Sequence, residues 1–156
     1  IDYLKWISYF EKTVIPQLSE YQDRCKFFVT KAGQYPYVYM SIEKSGYDKI
    51  VPKLEIRSRD CLPVSEQYPK RNINIRFLCY DMPETDVPQQ QVLIEKIKQG
   101  GRFATKGMVQ NRNGKEKYYP KQIGYLDHVT VKDESAFIQK IKEYIGYYLE
   151  LMQDWK

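Results

Sequence analysis

Basic side chains are concentrated between Lys96 and Lys121, and a polyanion is the ligand that such a concentration suits. The stretch holds eight Lys or Arg against one acid, a balance of +7, whereas the whole chain carries +5. Positive charge is therefore a property of this one stretch, which we call the basic segment. Because Lys and Arg displace counterions from phosphates, the pattern favours nucleic-acid binding.

Two glycine-containing dipeptides predict the shape of the basic segment. Gly100-Gly101 should end a helix, since glycine readily adopts the left-handed conformation that closes one. Asn113-Gly114 favours a tight turn between two short strands. The sequence thus predicts a basic β-hairpin at 101–121, with Phe103, Tyr118 and Tyr119 among its charges as contacts for sugars or bases.

The predicted nucleic-acid contacts combine cations for phosphates, asparagines for base edges and one tyrosine. These residues are Arg102, Lys106, Asn111, Arg112, Asn113, Lys115, Lys117, Tyr118 and Lys121. A solvated cationic loop is the alternative interpretation of the same composition.

A row of tyrosines is the second candidate surface. Tyr35, Tyr37 and Tyr39 alternate with apolar residues in a strand-like stretch, so they should share one face of a sheet. Aromatic side chains there could stack bases or bind a protein partner. A covering helix is the alternative.

Catalysis finds little support in the residue types. His128 follows Asp127 in a predicted strand, where adjacent side chains point to opposite faces and cannot form a catalytic relay. The remaining option is a Mg²⁺-dependent nuclease using acids at strand ends, with Glu43, Lys44, Glu55 and Asp60 as candidates. No catalytic residue, metal site or cofactor is otherwise predicted.

Composition and length indicate one globular domain over residues 1–156. The chain is 42% hydrophobic and 29% charged, and its three cysteines lack the spacing of a zinc site. Free thiols suit a reducing compartment, so we predict a cytoplasmic protein that does not bind membranes. Since the first residue is Ile, we also expect a fragment of a larger protein whose other domains could be partners.

The periodicity of apolar residues predicts an α+β fold. Helical spacing predicts a first helix over residues 2–22, with a break near Ile15. A second helix is predicted over residues 86–99, with Asp86 as its N-cap and Val92 partly buried. A long C-terminal helix is predicted after the cap residue Asp133. A meander of about four antiparallel strands is predicted from 25–30, 35–43, 50–57 and 72–80, with another strand at 122–132. Pro52 suggests that the third strand lies at a sheet edge.

These observations together predict a non-catalytic nucleic-acid-binding module, for DNA rather than RNA, that uses the basic hairpin. Its fold would be a mostly antiparallel sheet packed against N-terminal, central and C-terminal helices. The alternative is a protein-interaction or regulatory domain, and the Mg²⁺-dependent nuclease comes third.

Overall fold

A computed structural model describes residues 3–31, 38–57, 71–80, 83–105, 122–131 and 133–156. It contains a five-stranded sheet and three α-helices. The helices are α1 (Tyr3–Tyr9), α2 (Val87–Gly100) and α3 (Glu134–Leu151). The strands are β1 (Cys25–Lys31), β2 (Val38–Lys44), β3 (Lys53–Arg57), β4 (Arg71–Leu78) and β5 (Gln122–Val131).

The order of the strands in the sheet is their order in the chain. Each strand pairs antiparallel with the next, so the sheet is a meander. This confirms the predicted α+β class with an antiparallel sheet. The edge position predicted for the third strand is wrong, because β3 lies in the middle of the sheet. Pro52 precedes the strand rather than interrupting it, so no ladder hydrogen bond is lost.

The N-terminal helical region changes geometry where a break was predicted. After α1, a π-helical turn runs from Phe10 to Val14, and a 3₁₀ segment runs from Ile15 to Tyr21. Pro16 lies at the start of the 3₁₀ segment, where a residue does not need a backbone N–H for the hydrogen bonds of the helix. Phe10, Val14 and Leu18 are nonetheless all buried, so the apolar stripe survives the change of helix type.

One face of the sheet forms the core with the helices. Alternate residues of the central strands, such as Ile42, Ile56 and Phe77, are fully buried in one apolar cluster that includes side chains of all three helices. The Phe77 ring lies 5.4 Å from that of Tyr148 in α3. We call this side of the sheet the core face. The intervening residues of each strand point to the opposite side, which we call the outer face.

Helix α2 shows two local departures from its sequence-based description. Asp86 precedes the helix but makes no backbone capping bond. Its carboxylate accepts a hydrogen bond from the Gln89 side chain at 3.0 Å and lies 3.6 Å from the Lys49 amine. Val92, predicted to be partly buried, is 56% exposed. The helix ends as predicted, since Gly101 has a φ of 65° and donates to the Ile97 carbonyl.

Helix α3 provides the largest cover for the core face. Asp133 caps it as predicted, accepting a hydrogen bond from the backbone N–H of Ala136 at 2.9 Å. Five of its eight buried side chains lie on the stripe that helical spacing predicts, namely Phe137, Ile141, Tyr144, Ile145 and Tyr148. The other three, Ile138, Tyr147 and Leu151, were not predicted. Tyr148 also ties the helix to the sheet, since its hydroxyl donates to the Pro52 carbonyl at 2.5 Å and accepts from the backbone N–H of Lys44 at 2.9 Å.

Cys25 and Cys79 should resist alkylation in the folded protein. Burial raises the pKa of the Cys25 thiol to about 11 and that of Cys79 to about 12. Because the thiolate is the reactive form, iodoacetamide at pH 8.5 should label both at least about 100-fold more slowly than in urea. Mass spectrometry of a Cys61→Ser variant measures this directly.

The raised pKa values of these two thiols also predict how the stability of the protein depends on pH. Above the ordinary thiol pKa the unfolded chain loses these protons before the folded one does, so stability should fall as pH rises beyond about 9. Native labelling at the rate seen in urea would contradict the burial of both thiols.

Candidate functional site

The outer face of the sheet carries polar residues that the strand pairing brings into rows. Ser41 of β2 lies opposite Glu55 of β3, Glu55 opposite Arg76 of β4, and Arg76 opposite Tyr125 of β5. Directly opposed residues in an antiparallel sheet share a face, with Cβ atoms about 5 Å apart. The pairing therefore assembles one polar group from four strands.

Glu55 is the buried centre of this group. Its side chain is 4% exposed, and one carboxylate oxygen lies 3.2 Å from Arg57 Nε and 3.6 Å from Arg76 Nη1. Arg57 is two residues along the same strand and so shares the face. A carboxylate removed from water requires such partners, because an unpaired buried charge is costly. Glu55 thus holds two guanidinium groups side by side.

A cleft of about 220 Å³ opens beside these arginines. The side chains lining it come from β3, β4 and β5: Arg57, Asn74, Arg76, Gln122, Tyr125 and Leu126. Arg76 Nε donates to Gln122 Oε1 at 2.5 Å, which fixes the arginine from the side opposite Glu55. Asn74, opposite Arg57 in the ladder, is buried. The cleft is thus lined mainly by polar side chains from three strands.

Two tyrosines extend the outer-face group. Tyr39 lies opposite Arg57, and burial together with the nearby Glu55 charge raises the pKa of its hydroxyl. The same two causes raise the pKa of Tyr80, whose ring has Lys53 Nζ 5.0 Å from its centre. Both phenols therefore stay neutral at physiological pH. Tyr39 is the described member of the predicted tyrosine face, since Tyr35 and Tyr37 lie outside the described residues.

The predicted nucleic-acid contacts fall mostly outside the described part of the chain. Those residues are Lys106, Asn111, Arg112, Asn113, Lys115, Lys117, Tyr118 and Lys121. Arg102 is described, and it docks on α3. Its guanidinium lies 2.8 Å from a Glu143 oxygen and 4.3 Å from the ring centre of Tyr147.

Phe103 is part of the core rather than a surface contact. It is 5% exposed and packs in T-shaped contact with Phe77 and Tyr144. A Cβ placed on Gly124 would lie 2.9 Å from the Phe103 Cβ, so β5 needs a glycine where this ring crosses it. The prediction that Phe103 contacts sugars or bases is therefore wrong, because neither could reach its ring.

The two ends of residues 105–121 are anchored at one strand. Ala104 exchanges two backbone hydrogen bonds of 2.9 Å with Tyr125, and β5 begins at Gln122. The chain therefore leaves β5 just after Ala104 and returns to the same strand at Gln122. Gln122 and Tyr125 also line the cleft, so the start of β5 lies beside the two outer-face arginines.

The acids proposed for a metal site have other neighbours. Glu55 is paired with arginines, Glu43 lies opposite Lys53 in the ladder, and Lys44 Nζ donates to the Met152 carbonyl at 3.0 Å. Asp60 lies outside the described residues. Within the described ranges, no group of three His, Cys, Asp or Glu side chains is arranged to hold a metal ion. His128 lies in β5, as predicted.

The sequence prediction missed the cleft residues. Arg57, Asn74, Arg76, Gln122 and Tyr125 were not assigned a role. One signal was present: Arg76 alternates with Ile75 and Phe77, so a charged residue had to occupy the opposite face of a central strand.

Comparison with known proteins gave no assignment. No family model matches the chain. No curated protein and no solved structure matches it either. In the part of the chain that is described, every helix is too short or too polar to cross a bilayer. Function must therefore be argued from the site itself.

Proposed function

We propose that this protein binds nucleic acid, DNA in preference to RNA, as a non-catalytic module that uses the basic segment. The observation that carries the proposal is the local charge of +7 in a chain whose remainder sums to −2. A charge of this density on one element releases counterions from a phosphate backbone, which supplies most non-specific affinity.

The surroundings of the segment support the proposal in two ways. The chain is attached to β5 on either side of this stretch, through the Ala104 bridge and at Gln122. Arg57 of β3 and Arg76 of β4 line the cleft together with Gln122 and Tyr125 of β5, so two described cations lie near the point where the chain returns to β5.

A charge reversal of the segment tests the proposal. In the triple variant Arg112→Glu, Lys115→Glu, Lys117→Glu, three phosphate contacts are lost. The slope of log K against log salt for duplex DNA should then fall in magnitude by about 2.7, and affinity at low salt should largely disappear. Fluorescence anisotropy with labelled duplex and single-stranded DNA and RNA across a salt series measures both quantities.

A matched control separates local charge from net charge. The triple variant Lys12→Glu, Arg24→Glu, Lys26→Glu changes the net charge equally at exposed positions outside the segment, and it should retain most of the affinity. Equal losses in the two triple variants, or no binding by the wild type at low salt, would refute the assignment to the basic segment.

A further inference from the structure

Beyond the end of α3 at Leu151, a short stretch of chain is held by other elements of the protein rather than by the helix. We call residues 152–156 the strap. It makes a turn, since the Trp155 N–H donates to the Met152 carbonyl at 3.2 Å. Both of these side chains are buried, whereas the two side chains between them are exposed. The strap thus places two side chains inside the protein and keeps the others at the surface.

Side chains from three other parts of the chain bond the backbone of the strap. Lys44 of β2 donates to the Met152 carbonyl at 3.0 Å. Tyr47, in the connection between β2 and β3, donates to the Trp155 carbonyl. Gln89 of α2 accepts a hydrogen bond from the N–H of the next residue at 3.2 Å. Contacts to backbone atoms do not depend on side-chain type, and main-chain hydrogen bonds are a common source of affinity in peptide recognition.

Two strap side chains make contacts that do depend on their type. The Trp155 indole is 6% exposed and belongs to the hydrophobic core cluster. Asp154 lies 3.0 Å from Lys96 Nζ of α2 at the surface. In recognition sites, a buried aromatic anchor supplies much of the affinity, and a charge pair at the rim contributes to selectivity. The surface under the strap therefore suits an acidic residue followed by tryptophan.

The donors that hold the strap have a second acceptor within the protein. The Gln89 amide donates to the backbone oxygen of Lys156 at 3.3 Å and to Asp86 Oδ1 at 3.0 Å. Lys49 donates to the same backbone oxygen, and its amine lies 3.6 Å from Asp86 Oδ1. If the strap leaves, both donors keep the carboxylate as a partner. Release therefore leaves neither donor without an acceptor.

The docked strap is also accompanied by unsatisfied polar atoms. Among the described residues, Trp155 Nε1 and Asp86 Oδ2 are buried without a hydrogen-bond partner. A buried polar atom without a partner costs free energy. Release would return the indole N–H to water, and it would free Lys49 and Gln89 to bond the carboxylate. The released state is therefore closer in free energy to the docked state than the contacts of the strap alone suggest.

We propose that the surface under the strap is a peptide-binding site. The strap occupies it from within the same chain, and a partner segment with an acidic residue followed by tryptophan displaces the strap. A tethered segment competes at an effective concentration of about millimolar, so the strap keeps weak ligands out and admits strong ones. The proposal does not depend on nucleic-acid binding by the basic segment.

The test is the binding of a fluorescein-labelled peptide with the sequence of residues 149–156 to the full chain, followed by anisotropy. Trp155→Ala removes the anchor of the tethered strap. This variant should therefore bind the peptide saturably, at least about tenfold more tightly than the wild type does. The same peptide with alanine in place of its tryptophan should not bind. No binding to Trp155→Ala at millimolar peptide, or equal binding to the variant and the wild type, would overturn the proposal.

A second measurement keeps the anchor and decides the matter if Trp155→Ala does not fold. In a Trp6→Phe background Trp155 is the single tryptophan, so its quenching by acrylamide reports release of the strap. Tyr47→Phe removes one hydroxyl that bonds the strap, and quenching should rise about twofold or more. Tyr21→Phe is the matched control, because it removes a hydroxyl that bonds the Lys142 carbonyl of α3 instead, and quenching should not change. Equal quenching in the two variants would show that the strap is not released and would refute the site.

Discussion

Replacing Glu55 with glutamine is expected to lower the free energy of unfolding by about 3 kcal/mol, because it leaves two partly buried guanidinium charges without their carboxylate. Glutamine keeps the shape of the side chain, so packing changes little. Arg57 and Arg76 retain some contact with water, which places the expected loss at the lower end for a broken buried pair. Urea unfolding followed by circular dichroism measures the loss as a shift of the midpoint.

Glu143→Gln is the matched control. The Arg102–Glu143 distance of 2.8 Å is shorter than the 3.2 Å between Glu55 and Arg57. However, the side chains of Arg102 and Glu143 are 35% and 45% exposed. Exposed pairs contribute at most about 1 kcal/mol, so this variant should lose far less stability. A larger loss in Glu143→Gln than in Glu55→Gln would show that distance outweighs burial here.

Two adjacent tyrosines should respond in opposite ways to the same substitution. Tyr148→Phe is expected to cost about 3 kcal/mol, because the half-buried Lys44 N–H and the buried Pro52 carbonyl each lose a partner. Among the described residues the Tyr147 hydroxyl is buried without a hydrogen-bond partner. Tyr147→Phe should therefore be neutral or raise stability by about 1 kcal/mol.

Both substitutions remove one oxygen from α3, so helix propensity and ring packing are nearly constant between them. Urea midpoints of the two variants give the difference directly. Equal losses of stability in the two variants would mean that the Tyr148 hydroxyl contributes no stability beyond that of its ring. A clear loss of stability in Tyr147→Phe would mean that the Tyr147 hydroxyl makes a hydrogen bond in solution.

The fold was largely predictable from local patterns. Alternation identified β2 and β4, and helical spacing predicted five of the eight buried residues of α3, because burial of a repeating face leaves a period in the sequence. The misses have local causes. Asp86 bonds the Gln89 side chain instead of the helix backbone, and Val92 lies beyond the edge of the apolar stripe of α2.

The cleft could not be predicted in the same way. Its residues come from three strands, and their assembly depends on the register of β3 with β4 and of β4 with β5. No short pattern encodes that register, which is set by how the whole core face packs. The basic segment shows the opposite case: its charge is visible in the sequence, while its contacts stay a prediction.

The meander has a consequence for the order in which the protein can fold as it is synthesised. Short connections join β1 to β4, so these four strands can pair in sequence as they emerge from the ribosome, whereas β5 joins the sheet only after α2 has been synthesised. Helix α3 follows them all and supplies eight buried side chains to the core. Until it emerges, the nascent sheet exposes much of its apolar face, and that interval is when the chain is most exposed to aggregation.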